Sequence, residues 1–197
     1  NDPVWTSHPF PFAPAAAQIL VYDFNGDGLN DVLTAINAHG YGISCYEQVK
    51  ENGNITFREQ VILNKDASKN RYGLLFSQPH AFALVDMDGD GLKDVVTGKR
   101  FWAHGKDGPD PESNAASVLY WFKLTRPAKG QAEFIPYLID DDSGVGTQVT
   151  VGTVSNPKYP DVVVGNKKGV FVFKHDTKEV TRAEWEKAQP KLQPDTK

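Results

Sequence analysis

Two short stretches of this chain place oxygen-bearing side chains at alternate positions. Asp23, Asn25, Asp27 and Asp31 stand at positions 1, 3, 5 and 9 of the first, and Asp86, Asp88, Asp90 and Asp94 stand at the same positions of the second. A loop that curls round a hard cation turns alternate side chains inward. A glycine at position 6 (Gly28, Gly91) permits the sharp turn, and the carbonyl at position 7 (Leu29, Leu92) supplies a further ligand. Oxygen donors without His or Cys select Ca²⁺ over zinc or copper, and a flexible multidentate cage suits Ca²⁺ better than Mg²⁺. The two loops hold seven carboxylates, which repel one another unless a cation lies among them. The expectation is two Ca²⁺ sites. An EF-hand is excluded, because position 12 is Thr34 or Thr97 rather than a bidentate Glu, and the flanks are β-branched runs rather than helices.

The elements that position these loops recur with them. VYDFNGDGLNDVL (21–33) matches LVDMDGDGLKDVV (84–96), with Asp23 aligned to Asp86 at a spacing of 63. A third copy, VGTVSNPKYPDVVV (151–164), aligns Asp161 with Asp94 at a spacing of 67. Its first three ligand positions are Thr153, Ser155 and Pro157, so it is expected to hold no metal. In each copy an apolar run precedes the loop and a Val-rich run follows it (31–36, 94–98, 161–165). An aromatic-alternating run comes next (41–49, 118–124, 170–174), and a fourth run closes the first two units (55–63, 133–139). Short β-branched and aromatic runs bounded by Gly, Asp and Pro read as strands. Four of them in a repeat of this length make one up-and-down propeller blade.

The predicted fold is therefore all-β: a β-propeller-like array of about three four-stranded antiparallel blades with a short C-terminal helix. The blades fall near 11–63, 75–139 and 147–175, and residues 4–10 resemble an extra strand. The offset of the extra strand fits either a ring closed by strands from both termini or a longer array. Because propellers usually have four to eight blades, membership of a larger propeller or a ring completed by a neighbour is an open expectation. Residues 1–175 form the repeat region, and 176–197 a helix and linker. The helix is marked by the capping-box pattern from Thr181 to Glu184 and ends before Pro190.

The Asp-x-Asx-Gly-Asp-Gly-x-x-Asp-Val form resembles the FG-GAP/VCBS repeat of integrin-type calcium-binding β-propellers, over roughly residues 4–175. The resemblance implies that the loop joins the first two strands of a blade and binds Ca²⁺. It assigns Asp23, Asn25, Asp27, the Leu29 carbonyl and Asp31 to one site, and Asp86, Asp88, Asp90, the Leu92 carbonyl and Asp94 to the other. Such repeats occur in adhesion proteins, lectin-like modules and some polysaccharide-degrading enzymes, so the motif specifies architecture better than activity.

Connections in an up-and-down blade alternate between its two ends. The face opposite the acidic loops collects residues 37–42, 64–80, 99–117 and 139–147, which include the two longest loops. His39, Tyr41, His80, Arg100, Trp102 and His104 lie there and are the candidate ligand-binding residues. Aromatic rings beside His and Arg suit a pyranose, which offers an apolar face and a rim of hydroxyls. Phe101 and Trp102 equally fit packing between blades, and Asp140, Asp141 and Asp142 read as a solvated turn. The leading functional reading is a calcium-stabilised, secreted, periplasmic or cell-surface module that binds a carbohydrate or a protein partner, without catalytic residues. The alternatives are a polysaccharide lyase or hydrolase, drawing on His80 or His104 with Arg100 or Lys99, or on paired carboxylates among Asp107, Asp110, Glu112, Asp140, Asp141 and Asp142, and a purely structural spacer.

Bulk composition narrows the classes further. The formal charge is −4, and 17 of the 25 acids are Asp. Without the seven loop carboxylates it becomes +3, and two Ca²⁺ ions would bring it from −4 to zero. The acidity is thus concentrated at the loops, and with no Lys/Arg cluster it gives no nucleic-acid footprint. No apolar run is long enough to cross a membrane as a helix, and the first residues lack signal-peptide form, so any such peptide is expected to be absent or removed. The single Cys45 cannot form an internal disulfide and, in an apolar-alternating run, is expected in the core.

Overall fold

The computed structural model describes residues 4, 5, 7, 8, 10–155 and 157–194. Three antiparallel sheets follow one another along the chain. The first blade is β1 (Ile19–Tyr22), β2 (Asp31–Ala35), β3 (Ile43–Glu51) and β4 (Asn54–Leu63), and the second is β5 (Phe82–Val85), β6 (Asp94–Gly98), β7 (Leu119–Thr125) and β8 (Glu133–Asp140). The third has three strands: β9 (Val149–Gly152), β10 (Asp161–Asn166) and β11 (Gly169–Phe173). Every strand pairs with its sequence neighbour within its blade, which is the up-and-down order of a propeller blade.

The register explains the repeat. Tyr22 pairs with Asp31, Val85 with Asp94 and Gly152 with Asp161, so the first hairpin of each blade closes over 23–30, 86–93 and 153–160. The third loop keeps the length of the other two although its acidic residues are gone. The first strands are innermost, with β5 lying between β1 and β9.

Side-chain alternation builds the interfaces between blades. Val95 joins Leu20, Leu33, Phe82, Phe122 and Phe134 in a core between the first two blades. Its neighbour Val96 points the other way, joining Met87, Leu119, Val149, Val162 and Val164 in a core between the second and third. Cys45 is fully buried in the first core, and burial pushes its thiol far above the ordinary range. Ile19 and Val21 on β1, and Val170 and Val172 on β11, remain at least half exposed on the flanks of the array.

The C-terminal helix α1 (Arg182–Ala188) starts at the Thr181 capping box and carries no buried residue. No helix among the described residues is long and apolar enough to cross a membrane. The extra strand expected over 4–10 is not formed at Val4, Trp5, Ser7, His8 or Phe10, while Thr6 and Pro9 lie outside the described residues. Pro9 within the stretch, flanked by Pro3 and Pro11, lacks an N–H donor that a ladder needs. Phe10 and Phe12 instead pack as rings against Tyr46 and Phe57.

Candidate functional site

The two acidic loops lie at one end of the blades and are folded by their own side chains. In the first, Asp23 Oδ1 accepts the N–H groups of Gly26 (2.8 Å) and Asp27 (3.2 Å), and Oδ2 accepts that of Gly28. Asn25 Oδ1 accepts the Asp27 N–H, and its amide donates to Asp27 Oδ2 at 3.2 Å. The Leu29 N–H donates to Asp27 Oδ1. Gly26 and Gly28 both adopt positive φ, as the tight curl requires.

The second loop repeats the pattern. Asp86 accepts from Gly89 and Gly91, Asp88 from Asp90, and Asp90 from Leu92. Carboxylate oxygens of Asp86, Asp88 and Asp94 all lie within 4.8 Å of one another. A difference follows from the next strand: the Lys123 ammonium bonds Asp88 and lies 3.0 Å from Asp90 Oδ2. Although burial opposes it, the Leu92 N–H and Lys123 hold the Asp90 carboxyl below its usual range. The first loop instead receives Arg126 from the β7–β8 connection, whose guanidinium donates to the Phe24 carbonyl at 3.0 Å and to the Asp23 carbonyl.

The last carboxylate of each loop serves the fold in all three blades. Asp31, Asp94 and Asp161 are fully buried. Their Oδ2 atoms accept from Phe24, Met87 and Val154, each seven residues earlier, and their Oδ1 atoms from Gln48, Leu124 and His175 on the blade's third strand or just past it. Their electrostatics nevertheless diverge. Burial raises the Asp31 carboxyl, with Asp27 adding to it, and pushes Asp94 up to about 6, with Asp88 adding to it. Asp161 is held well below the usual range by N–H donors from Ser155 and His175.

The other end of the blades gathers the connections 36–42, 64–81, 99–118 and 141–148. Gln78, wholly buried, ties three of these segments together. Its N–H donates to the Gly40 carbonyl and its carbonyl accepts from Arg100. Its side chain accepts from the Ala103 N–H and donates to the Pro111 carbonyl at 3.4 Å.

Of the predicted residues here, the fold brings three histidines together. The His39 ring lies 5.4 Å from that of His80 and 5.0 Å from that of His104. Tyr41 is raised by burial and by Glu112, beside which its hydroxyl lies. Burial lowers His80, with Arg100 and His39 adding to it. Trp102 stacks on Phe101 at 4.3 Å and lines a cleft of about 240 Å³ with Arg100, Thr147, Asn166 and Lys167, between the second and third blades. Asp140 forms the expected turn, accepting from Asp142 and Ser143. Gln78 carries no sequence signal. Asp110 and Glu112, weighed above only as possible acids of a glycosidase, are the carboxylates that meet the histidines and Tyr41.

No curated protein matches the chain. The model of a family described as FG-GAP-like repeat matches residues 23–97, from the first ligand position of one acidic loop to the strand following the other. The sheet order, the hairpin register and this match agree, and the chain carries an FG-GAP-like repeat in a β-propeller-type architecture.

Proposed function

We propose that this chain is a calcium-stabilised extracellular β-propeller module that binds a carbohydrate on the loop face opposite its acidic loops. The observation that carries the reading is the division of labour between the two ends: carboxylates at one, and an aromatic cleft with a polar rim at the other. Trp102 brings aromatic surface to the cleft and Arg100 and Thr147 bring polar groups, the combination a sugar ring matches. Lys167, which donates to the Trp102 and Ala103 carbonyls, and Asn166, which donates to the Ser143 carbonyl, hold the rim in place. A cleft of about 240 Å³ suits a saccharide better than a broad protein partner. Ile19 and Val21 leave an apolar flank that a further blade would cover.

The acidic loops fit Ca²⁺ on the behaviour of their own residues. Asp31 and Asp94 are raised carboxylates beside further carboxylates, whereas Asp161, with the same backbone partners and no acidic neighbours in its loop, is lowered. The first loop pairs its carboxylates with no cationic side chain among the described residues, and in the second Lys123 alone faces four carboxylates. Asp23, Asn25, Asp27 and Asp31 would hold one ion, and Asp86, Asp88, Asp90 and Asp94 the other, with the Leu29 and Leu92 carbonyls available to each. The ion would neutralise the carboxylates and lock the first hairpin of its blade. Millimolar free Ca²⁺ outside the cytosol suits such exposed loops, which is the basis for the extracellular placement.

Glycan-array binding by the full chain in Ca²⁺ buffer tests the ligand class. Saturable binding to a defined glycan supports the reading, and binding to protein partners with none to any glycan replaces it.

A further inference from the structure

We propose that His39, His104 and Asp110 form a binding site for a divalent transition-metal ion of the zinc class, on the loop face and independent of the acidic loops. The three residues come from two connections: His39 from that between β2 and β3, and His104 and Asp110 from that between β6 and β7. One ligand atom from each lies within 4.8 Å of the other two.

The distances match what such an ion asks for. His39 Nδ1 is 3.5 Å from Asp110 Oδ1, and His104 Nδ1 is 3.1 Å from the same oxygen. A tetrahedral ion with bonds of ~2.0–2.1 Å holds its ligand atoms about 3.3 Å apart. The two imidazoles are inclined at 45° with centroids 5.0 Å apart, so they converge on shared space rather than stack. Two imidazoles with one carboxylate are the borderline donor set that zinc and its neighbours take, in contrast to the all-oxygen set of the acidic loops.

A hydrogen bond between His104 and Asp110 accounts for one of these contacts. It does not account for the second imidazole, brought from the other blade to the same carboxylate, nor for the backbone around it. Gln78, Trp102 and Glu112 adopt φ of 57°, 49° and 53°, a left-handed region that disfavours side-chain-bearing residues. The only other such non-glycine among the described residues is Asn52 in a hairpin turn. Strain of this kind gathers where a fold is held in shape for a ligand.

Burial indicates how the site is arranged. The Asp110 side chain is 5% exposed, while those of His39 and His104 are 41% and 54% exposed. A buried carboxylate thus anchors a site whose imidazoles open to solvent. Three protein ligands leave at least one position free, as in zinc sites that exchange ligands rather than structural ones, and an oxygen or nitrogen donor of a bound molecule can occupy it. Beside it, His80 Nδ1 is buried with no hydrogen-bond partner among the described residues.

The test uses the full chain, stripped of metal by chelation and returned to buffer with excess Ca²⁺ so that the acidic loops do not compete. Zn²⁺ is titrated by calorimetry, and Co²⁺ serves as an optical probe of coordination. The expected result is one Zn²⁺ per chain, a four-coordinate Co²⁺ spectrum, and a loss of at least about tenfold in Zn²⁺ affinity in both His39→Ala and His104→Ala. Asp110→Asn is expected to lose binding as well; if it fails to fold, the two histidine variants, with wild-type melting curves in metal-free buffer, decide the matter. Zn²⁺ affinity unchanged in His104→Ala, or Zn²⁺ binding that disappears once Ca²⁺ fills the acidic loops, overturns the proposal.

Discussion

The backbone N–H of Leu124 donates to Asp94 Oδ1 at 2.8 Å, tying the third strand of the second blade to the end of its acidic loop. Asp161 makes the same connection to the His175 N–H in a blade whose loop has lost its other acids. The position-9 carboxylate therefore has a structural duty separable from any metal: it satisfies N–H groups that would otherwise be buried without partners. Asp161→Ala is accordingly expected to lower the melting temperature by the same amount with and without Ca²⁺. Differential scanning calorimetry in the two buffers checks this; a loss confined to Ca²⁺ buffer would reassign the third loop as a metal site.

Asp86→Ala should behave in the opposite way. Among the described residues Asp86 accepts from Gly89 and Gly91 of its own loop, so its removal costs little in chelator. If Ca²⁺ stands at ~100 times its dissociation constant, binding adds about 2.7 kcal/mol per site, which is roughly 5–10 °C for a chain of this size. Chelation should lower the wild-type melting temperature by that order, and the variant should lose about half the Ca²⁺-dependent increment. A wild-type melting curve indifferent to chelator would remove calcium from the account.

How much of this could be read in the sequence depends on whether the information is local. The acidic loops are local: alternate oxygens and two glycines fix their own curl, so Asp23 and Asp86 declare themselves in one stretch of chain. The third blade was legible for a related reason, because Asp161 keeps its clamp although Thr153 and Ser155 have replaced the ligands. The strands were legible because alternating sets such as Val95 and Val96 must serve two different cores. The loop face was legible only as a collection of residues. His39 and Asp110 are 71 positions apart, and their meeting depends on Gln78, whose positive φ and three-way hydrogen bonding have no composition signal. The described residues of 4–10 form no strand for a local reason that was present in the sequence, Pro9 within the stretch and Pro11 just after it.

The raised Asp94 gives a pH dependence of definite sign in Ca²⁺-free buffer. Its folded value of about 6 lies above that of an unfolded Asp, ~3.9, so the folded state holds the proton more tightly. That contribution to stability is complete below about pH 4 and is lost as pH rises through about 6, a change of about 3 kcal/mol. Because Asp161 titrates with the opposite sign, the informative quantity is a difference. Asp94→Asn should gain stability relative to wild type between pH 4 and 6.5 in chelator. Ca²⁺ affinity of the wild type should fall as pH drops through 6, since a proton and the ion compete for the same carboxylate. Parallel melting-temperature profiles for the two proteins would show that Asp94 does not titrate in this window.

Trp102 separates stability from binding. Its φ of 49° costs about 1–3 kcal/mol, and its indole Nε1 is buried without a partner among the described residues. Glycine adopts that backbone freely at an entropic cost of roughly 0.5–1 kcal/mol, so Trp102→Gly relieves more strain than it adds flexibility. The lost side chain stacks on Phe101 at the cleft rather than filling either core, so little packing goes with it. The variant is expected to melt at or slightly above the wild-type temperature while losing glycan affinity about tenfold, the order of one aromatic stacking contact. If Trp102→Gly kept full glycan binding, the cleft beside Trp102 would not be where the sugar sits.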